Sequence, residues 1–284
     1  MTNCYSMRSL LVFGSLVALP LLAGCVSTDP NGLGIFMPVK DIEANPAQYL
    51  QTEFAVAGIP RSVASAINAA DAGSLPFRKM TFSTLVTYAN GSKSVKTEAQ
   101  VLMYVSAGGP FVQIFHEFRS NTIPVSQAYS LSYRGVLNIR WQFIPLNLTS
   151  VAKPTELKSL QAAISWPDNG SGAGALDFTG TEGWIPQVMN FRSSSEHCTF
   201  GDSYPAAAVY GTLAGEARAV DCSETNANGV VSIRWSGVWL KRYGVVVGLH
   251  VRTAAADVDT KIMGVTLEGA APGAGLRPAG KQTV

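Results

Sequence analysis

Met80-Thr81-Phe82-Ser83-Thr84-Leu85-Val86-Thr87-Tyr88-Ala89, followed by Asn90-Gly91 and a second run from Ser94 to Val105, is the stretch that decides the fold class. Both runs are rich in β-branched and aromatic residues and alternate as a half-buried strand does. Asn-Gly supplies the two positive-φ residues of a tight hairpin turn. Gly108-Gly109-Pro110 then breaks the chain, and Phe111 to Phe118 resumes the alternation. Phe111, Gln113, Phe115 and Glu117 fall on one face, with Val112, Ile114, His116 and Phe118 on the other. Val125–Tyr133 and Val136–Phe143 extend the pattern into an antiparallel meander.

Further along, Val209–Leu213, Ala217–Asp221, Val230–Leu240 and Val245–Thr253 read as strands, with turns at Asn228-Gly229 and Arg242-Tyr243-Gly244. Helical spacing is found twice. Arg61–Ala72 is Ala-rich and ends at Gly73, and Pro154–Ser165 sets Leu157, Leu160 and Ile164 three and four residues apart behind a proline. The expectation is an all-β protein of antiparallel sheets, sandwich or barrel-like, with two short helices. Residues 39–165 form a first β-rich region and 184–267 a second, joined by the Gly- and Pro-containing stretch 166–183, and 268–284 reads as a disordered tail. Val136–Trp141 and Val230–Trp235 echo each other, each after a glycine, which two β modules with a shared strand would explain.

The N-terminus carries an address. After Arg8 comes an uncharged apolar run, Ser9 to Leu22, and then Ala23-Gly24-Cys25. A positive start, a short apolar stretch and small residues at the cut make a secretory signal over residues 1–24. The run is shorter than the ~20 residues a spanning helix needs, and Pro20 interrupts it. Leu22-Ala23-Gly24-Cys25 resembles the lipobox of bacterial lipoproteins, in a resemblance that covers only the leader and its cut site. It implies cleavage before Cys25 and lipidation of that cysteine, and Val26 behind it implies the outer membrane as destination. An ordinary secreted protein cut at the small residues is the alternative. Residues 25–38 would then be the lipidated cysteine and a turn-rich stalk. Each buried methylene contributes about 0.8 kcal/mol, so two or three acyl chains make a permanent tether.

Composition bounds what the mature domain does. Hydrophobic residues make up 47% and charged residues 14%, which excludes a disordered chain. Loss of Arg8 leaves 20 basic residues against 19 acidic, so no nucleic-acid footprint is visible. With Cys4 and Cys25 assigned to leader and anchor, Cys198 and Cys222 remain as a pair, and in an oxidising compartment they are expected to form a disulfide.

No catalytic or metal-binding constellation emerges around His116, His197 or His250, and no cofactor is indicated. Trp235 and Trp239 share parity with Val231 and Ile233, so both rings project from one face, either as core or as a wall for an apolar ligand or sugar. Arg140 and Arg234 point the other way, toward solvent or a polar rim. The leading expectation is a non-enzymatic, lipid-anchored envelope protein, periplasm-facing, with a membrane and an envelope protein as partners. A carrier of an apolar ligand comes next. An envelope hydrolase comes third, and it requires Glu196, His197 and Asp202 to converge.

Cells expressing the chain should incorporate labelled palmitate into a membrane-bound protein, and Cys25→Ser should abolish both label and retention. A soluble, unlabelled wild type would refute the anchor.

Overall fold

The computed structural model describes residues 35–71, 73–90, 93–167 and 174–269. The leader, Cys25, most of the stalk, Gly91, the glycine-rich centre of the expected joint and nearly all of the expected tail lie outside those residues. A short strand, β1 (Phe36–Pro38), precedes three helices, α1 (Val39–Ala44), α2 (Pro46–Glu53) and α3 (Arg61–Ala70). Strands follow as β2 (Lys79–Asn90), β3 (Lys93–Gly108), β4 (Phe111–Ser120), β5 (Ile123–Tyr133), β6 (Leu137–Pro145) and β7 (Ser150–Ala152). They continue as β8 (Thr155–Ser165), β9 (Ala175–Trp184), β10 (Arg192–Pro205), β11 (Glu216–Asn226), β12 (Val231–Leu240), β13 (Val245–Thr253) and β14 (Asp257–Glu268).

Twelve of these strands close an antiparallel barrel in the order β10-β11-β12-β13-β14-β2-β3-β4-β5-β6-β8-β9, while β1 and β7 form a separate pair. The all-β expectation therefore resolves as a barrel. The wall is not uniform: β13 and β14 share three register pairs, and β6 and β8 share two. Between these thin seams lie two six-stranded halves. Because β14 returns to pair with β2, the halves do not coincide with regions 39–165 and 184–267. The expected joint likewise contains β9 from Ala175 onward, hydrogen-bonded on both sides, so the chain passes through it within one wall.

Three local readings are corrected. Pro154–Ser165 is not a helix but the strand β8. A bulge between Leu157 and Ser159 lets Leu157 and Leu160 face the same way, and that three-residue spacing imitates a helical stripe. Val209–Leu213 is not a strand. It follows a single 3₁₀ turn, Ala206–Ala208, and buries Leu213 fully. Finally, α3 matches the helix read at Arg61, but α1 and α2 are additional. α2 starts on Pro46, with the Asn45 side chain accepting the Gln48 N–H as a cap.

The helices cover one outer flank. The face that carries Phe111, Gln113 and Phe115 is turned away from the barrel axis and toward α1–α3, where Val39, Ile42, Leu50, Phe54, Val63 and Ile67 are buried against it. Gln113 is buried there and donates to Leu50 O and Phe54 O, satisfying the last carbonyls of α2. α3 lies along β8, beside the thin β6–β8 seam. Arg140 faces outward as its parity requires, yet it is buried rather than solvated. It pairs with Glu156 at 2.6 Å and bonds the carbonyls of Glu53 and Gly58, while Lys158 takes the other Glu156 oxygen at 2.9 Å.

One end of the barrel is plugged. β13 and the β5–β6 turn stand on opposite sides in strand order, but Val246 N donates to Arg134 O at 2.8 Å. The β12–β13 hairpin end therefore leaves β14 and crosses the opening, with both of its faces buried. Val238, Leu240, Val245 and Val247 pack with Met80, Phe82 and Tyr104, whereas Trp239 and Val246 join the cluster around Tyr133. Gly135 permits the crossing, with φ of +76° and no room for a Cβ, which would stand 2.3 Å from Val246 O.

Arg134 ties this end together. Its guanidinium bonds both Asp71 oxygens, Gly73 O and Gly244 O, while Tyr133 donates to Asp71 and Trp166 donates to Tyr133. Burial raises the Asp71 pKa, but hydrogen bonds from Arg134, the Gly73 N–H and Tyr133, with the Arg134 charge, outweigh it and hold the carboxyl below its ordinary value. Arg134→Met should lower unfolding free energy by about 3–5 kcal/mol in urea titrations at neutral pH. Asp71's contribution is complete above the ordinary carboxylate value of about 4 and is lost as pH falls through its lower folded value. Asp71→Asn should therefore flatten the acid limb of the stability profile. Unchanged urea midpoints would remove this hub from the account.

Candidate functional site

The inward face of the wall encloses a cavity of about 1090 Å³, larger than most sites for drug-sized molecules. It forms because strand alternation places Ile114, Ala128, Trp141, Leu160, Phe178 and Trp235 toward the axis. The plugged end is its floor, where Tyr104, Gly135 and Val136 contribute. Its mouth is bordered by Ile35, the connection from Trp184 to Asn190, and Thr253 with Ala256.

Outside, β8, β9 and β10 carry polar pairs. Asp177 pairs with His197 at 2.6 Å, Thr179 with Ser195 at 3.0 Å and Ser159 with Thr181 at 2.7 Å. Apolar-in and polar-out is the reverse of a membrane-spanning barrel, whose lipid-facing band is apolar. No described helix is long and apolar enough to cross a membrane.

Two polar groups on the lumen wall, His116 and Glu196, are pushed toward the neutral form, whereas Glu182 and Arg192 face each other there as an ion pair. His116 is buried, and desolvation lowers its pKa to about 3, leaving the ring uncharged. Glu196 stands directly opposite Glu224 in the β10–β11 register and accepts the Trp235 indole N–H at 2.6 Å. Burial is the main cause that raises Glu196 to about 8; the Glu224 charge adds to it, and the Trp235 bond opposes it. At neutral pH Glu196 is thus mostly protonated and can donate a hydrogen bond into the lumen.

The expected site residues divide. Cys198 and Cys222 form a disulfide across an in-register pair, with a Cα–Cα distance of 4.1 Å and a separation of 24 residues. A loop of that size contributes about 3–4 kcal/mol in the chain-entropy description. Trp235 lines the lumen, but Trp239 does not. It is buried in the plug against Trp166 and Phe200, with ring centroids at 5.1 and 5.7 Å. Glu196 and His197, adjacent on β10, take opposite faces, and Asp202 is exposed, so these three do not converge.

Among the described residues, two groupings have donors suited to a metal. Glu196 lies near Cys198 and Cys222, whose sulfurs are committed to each other. His250 lies between Asp257 and Asp259 at the β13–β14 seam, where its two ring nitrogens and Arg252 already engage the carboxylates. Neither offers a vacant ligand set.

Sequence reading missed the strand that carries Glu196, because Ser193, Ser194 and Ser195 hide its alternation. The usable signal was the parity shared by Glu196, Cys198 and Phe200.

A carboxyl raised to about 8 adds stability that is fully present below its unfolded value near 4.3 and is lost as pH rises through 8. Thermal unfolding should show the wild type losing several degrees between pH 5 and pH 9 relative to Glu196→Gln. Parallel profiles would mean the carboxyl is solvated and ordinary. No family profile, curated protein or solved structure matches the chain, so its function is argued from the lumen.

Proposed function

We propose that this protein is a lipid-tethered binding protein for an apolar molecule carried in the barrel lumen. The supporting observation is the cavity itself: about 1090 Å³, lined mainly by apolar residues such as Leu160, Phe178, Ile114 and Trp235, with His116 and Glu196 pushed toward the neutral form. A space of that character is filled favourably by apolar surface, at roughly 25 cal/mol per Å² removed from water. Protonated Glu196 suits a ligand with one hydrogen-bond acceptor, such as a carbonyl, an ester or a hydroxyl. The tether proposed at Cys25 would keep such a carrier beside the membrane from which apolar molecules come. A purely structural role remains compatible with the tether, but it gives the lumen nothing to do.

A hydrolytic reading has one feature in its favour, the Glu196–Glu224 pair on the wall. Asn138, Gln142, Glu182 and Arg192 also line the lumen, but apolar residues predominate there, so binding of an apolar molecule is the better-supported reading.

N-phenyl-1-naphthylamine should bind with saturable fluorescence enhancement. Ala128→Phe combined with Ser130→Phe, which fills the lumen from β5, should weaken binding at least about tenfold, ~1.4 kcal/mol, with Tm retained. Absence of saturable binding, or binding indifferent to a filled lumen, would overturn the reading.

A further inference from the structure

Among the described residues ten large apolar side chains are exposed, and nine of them lie at the mouth end, on β1 or at strand ends and turns; only Met263 lies within a wall. The plugged end exposes none among the described residues. Such one-sided exposure marks a contact surface.

The connection between β9 and β10 is built to present it. Gln187 turns inward. Its side-chain oxygen accepts the Trp184 N–H at 3.1 Å, and its amide donates to Met189 O and Asn190 O at 2.8 and 2.9 Å. Lys158 holds the loop from below through Ile185 O at 2.8 Å, with its ammonium 5.9 Å from the Phe191 ring. The loop thus meets much of its own polar demand internally, while Val188 is 79% exposed and Met189 65%. An ordinary surface loop does the opposite and turns its polar groups to water.

The chain itself says what lies opposite. Ile35, the first described residue, borders the cavity mouth, and its carbonyl is fixed by Lys153 N at 2.7 Å. Ten residues separate it from Cys25, which span at most about 33–36 Å when fully extended. A lipid on Cys25 would therefore hold this mouth within that distance of a bilayer.

We infer that the rim formed by Trp184, Val188, Met189 and Phe191 docks on the lipid bilayer surface, so that the ligand passes between membrane and lumen without crossing water. The inference rests on the reading of the lumen given above. Tryptophan favours the interfacial layer, and a tether makes weak insertion effective by raising local concentration.

The test uses the full lipidated protein in vesicles of phosphatidylethanolamine with phosphatidylglycerol as the minor lipid. Shallow-brominated lipid should quench tryptophan emission of the wild type, and Trp184→Phe should remove most of that quenching. Val188→Ser with Met189→Ser should slow transfer of vesicle-loaded N-phenyl-1-naphthylamine into the lumen about tenfold more than it slows uptake of free probe, and equal slowing of the two overturns docking. Intact mass on the same sample reads lipidation. If Cys25 carries no lipid, added vesicles must still quench Trp184 for the inference to stand. Lipidated protein with an unquenched Trp184, or a rim variant that only dissolves a dimer seen by sedimentation, overturns docking while lumen binding survives. Loss of free-probe binding in the wild type overturns the lumen reading itself.

Discussion

A barrel of twelve strands encloses more space than side chains from its wall can reach across, and that geometric surplus governs the rest of the molecule. At one end the surplus is removed by backbone: the β12–β13 hairpin end crosses the opening and is buried on both faces. A crossing strand brings unpaired peptide groups into the interior, and Arg134 answers that need with its carbonyl for the Val246 N–H and its guanidinium for the Gly244 carbonyl. At the other end no described residue crosses, and the surplus persists as the cavity. One constraint thus yields both the floor of the lumen and its mouth.

The outer flank follows the same logic of satisfied demand. β4 and β5 present apolar residues outward as well as inward, which would be costly on a solvated barrel. The three helices cover that face, and the carbonyl end of α2 is met by Gln113 and Arg140. The Arg140–Glu156–Lys158 group sits where β6 and β8 barely pair, and charge-assisted bonds do there what a strand ladder does elsewhere. Buried charge of this kind is a device for fixing one arrangement more than for adding stability.

Much of this was legible in the residues. The two faces of Phe111–Phe118 were assigned correctly by alternation, although alternation cannot say which face meets helices and which meets a lumen. The strand β8 was misread because a single bulge shifts its inward residues to helical spacing. β10 escaped because its serines mask the pattern, and α1 and α2 are too short for periodicity to register. Trp235 and Trp239 share parity and were read as one surface; only the inward turn of the hairpin end, a long-range event, separates a lumen residue from a plug residue. Glu196 was visible as a carboxylate, but its apolar surroundings come from strands distant in sequence.

The pairing of β14 with β2 carries a consequence for biogenesis. β2 is the first wall strand to be synthesised and β14 the last, so the edge of β2 stays open through nearly the whole elongation of the domain. An open edge rich in Thr, Val and Phe is a template for the wrong partner. For a chain exported N-terminus first, closure waits on its final described strand, and truncation there would strand an unpaired edge at both ends of the sheet. The arrival of β14 is thus what lets the other eleven described barrel strands close into a vessel.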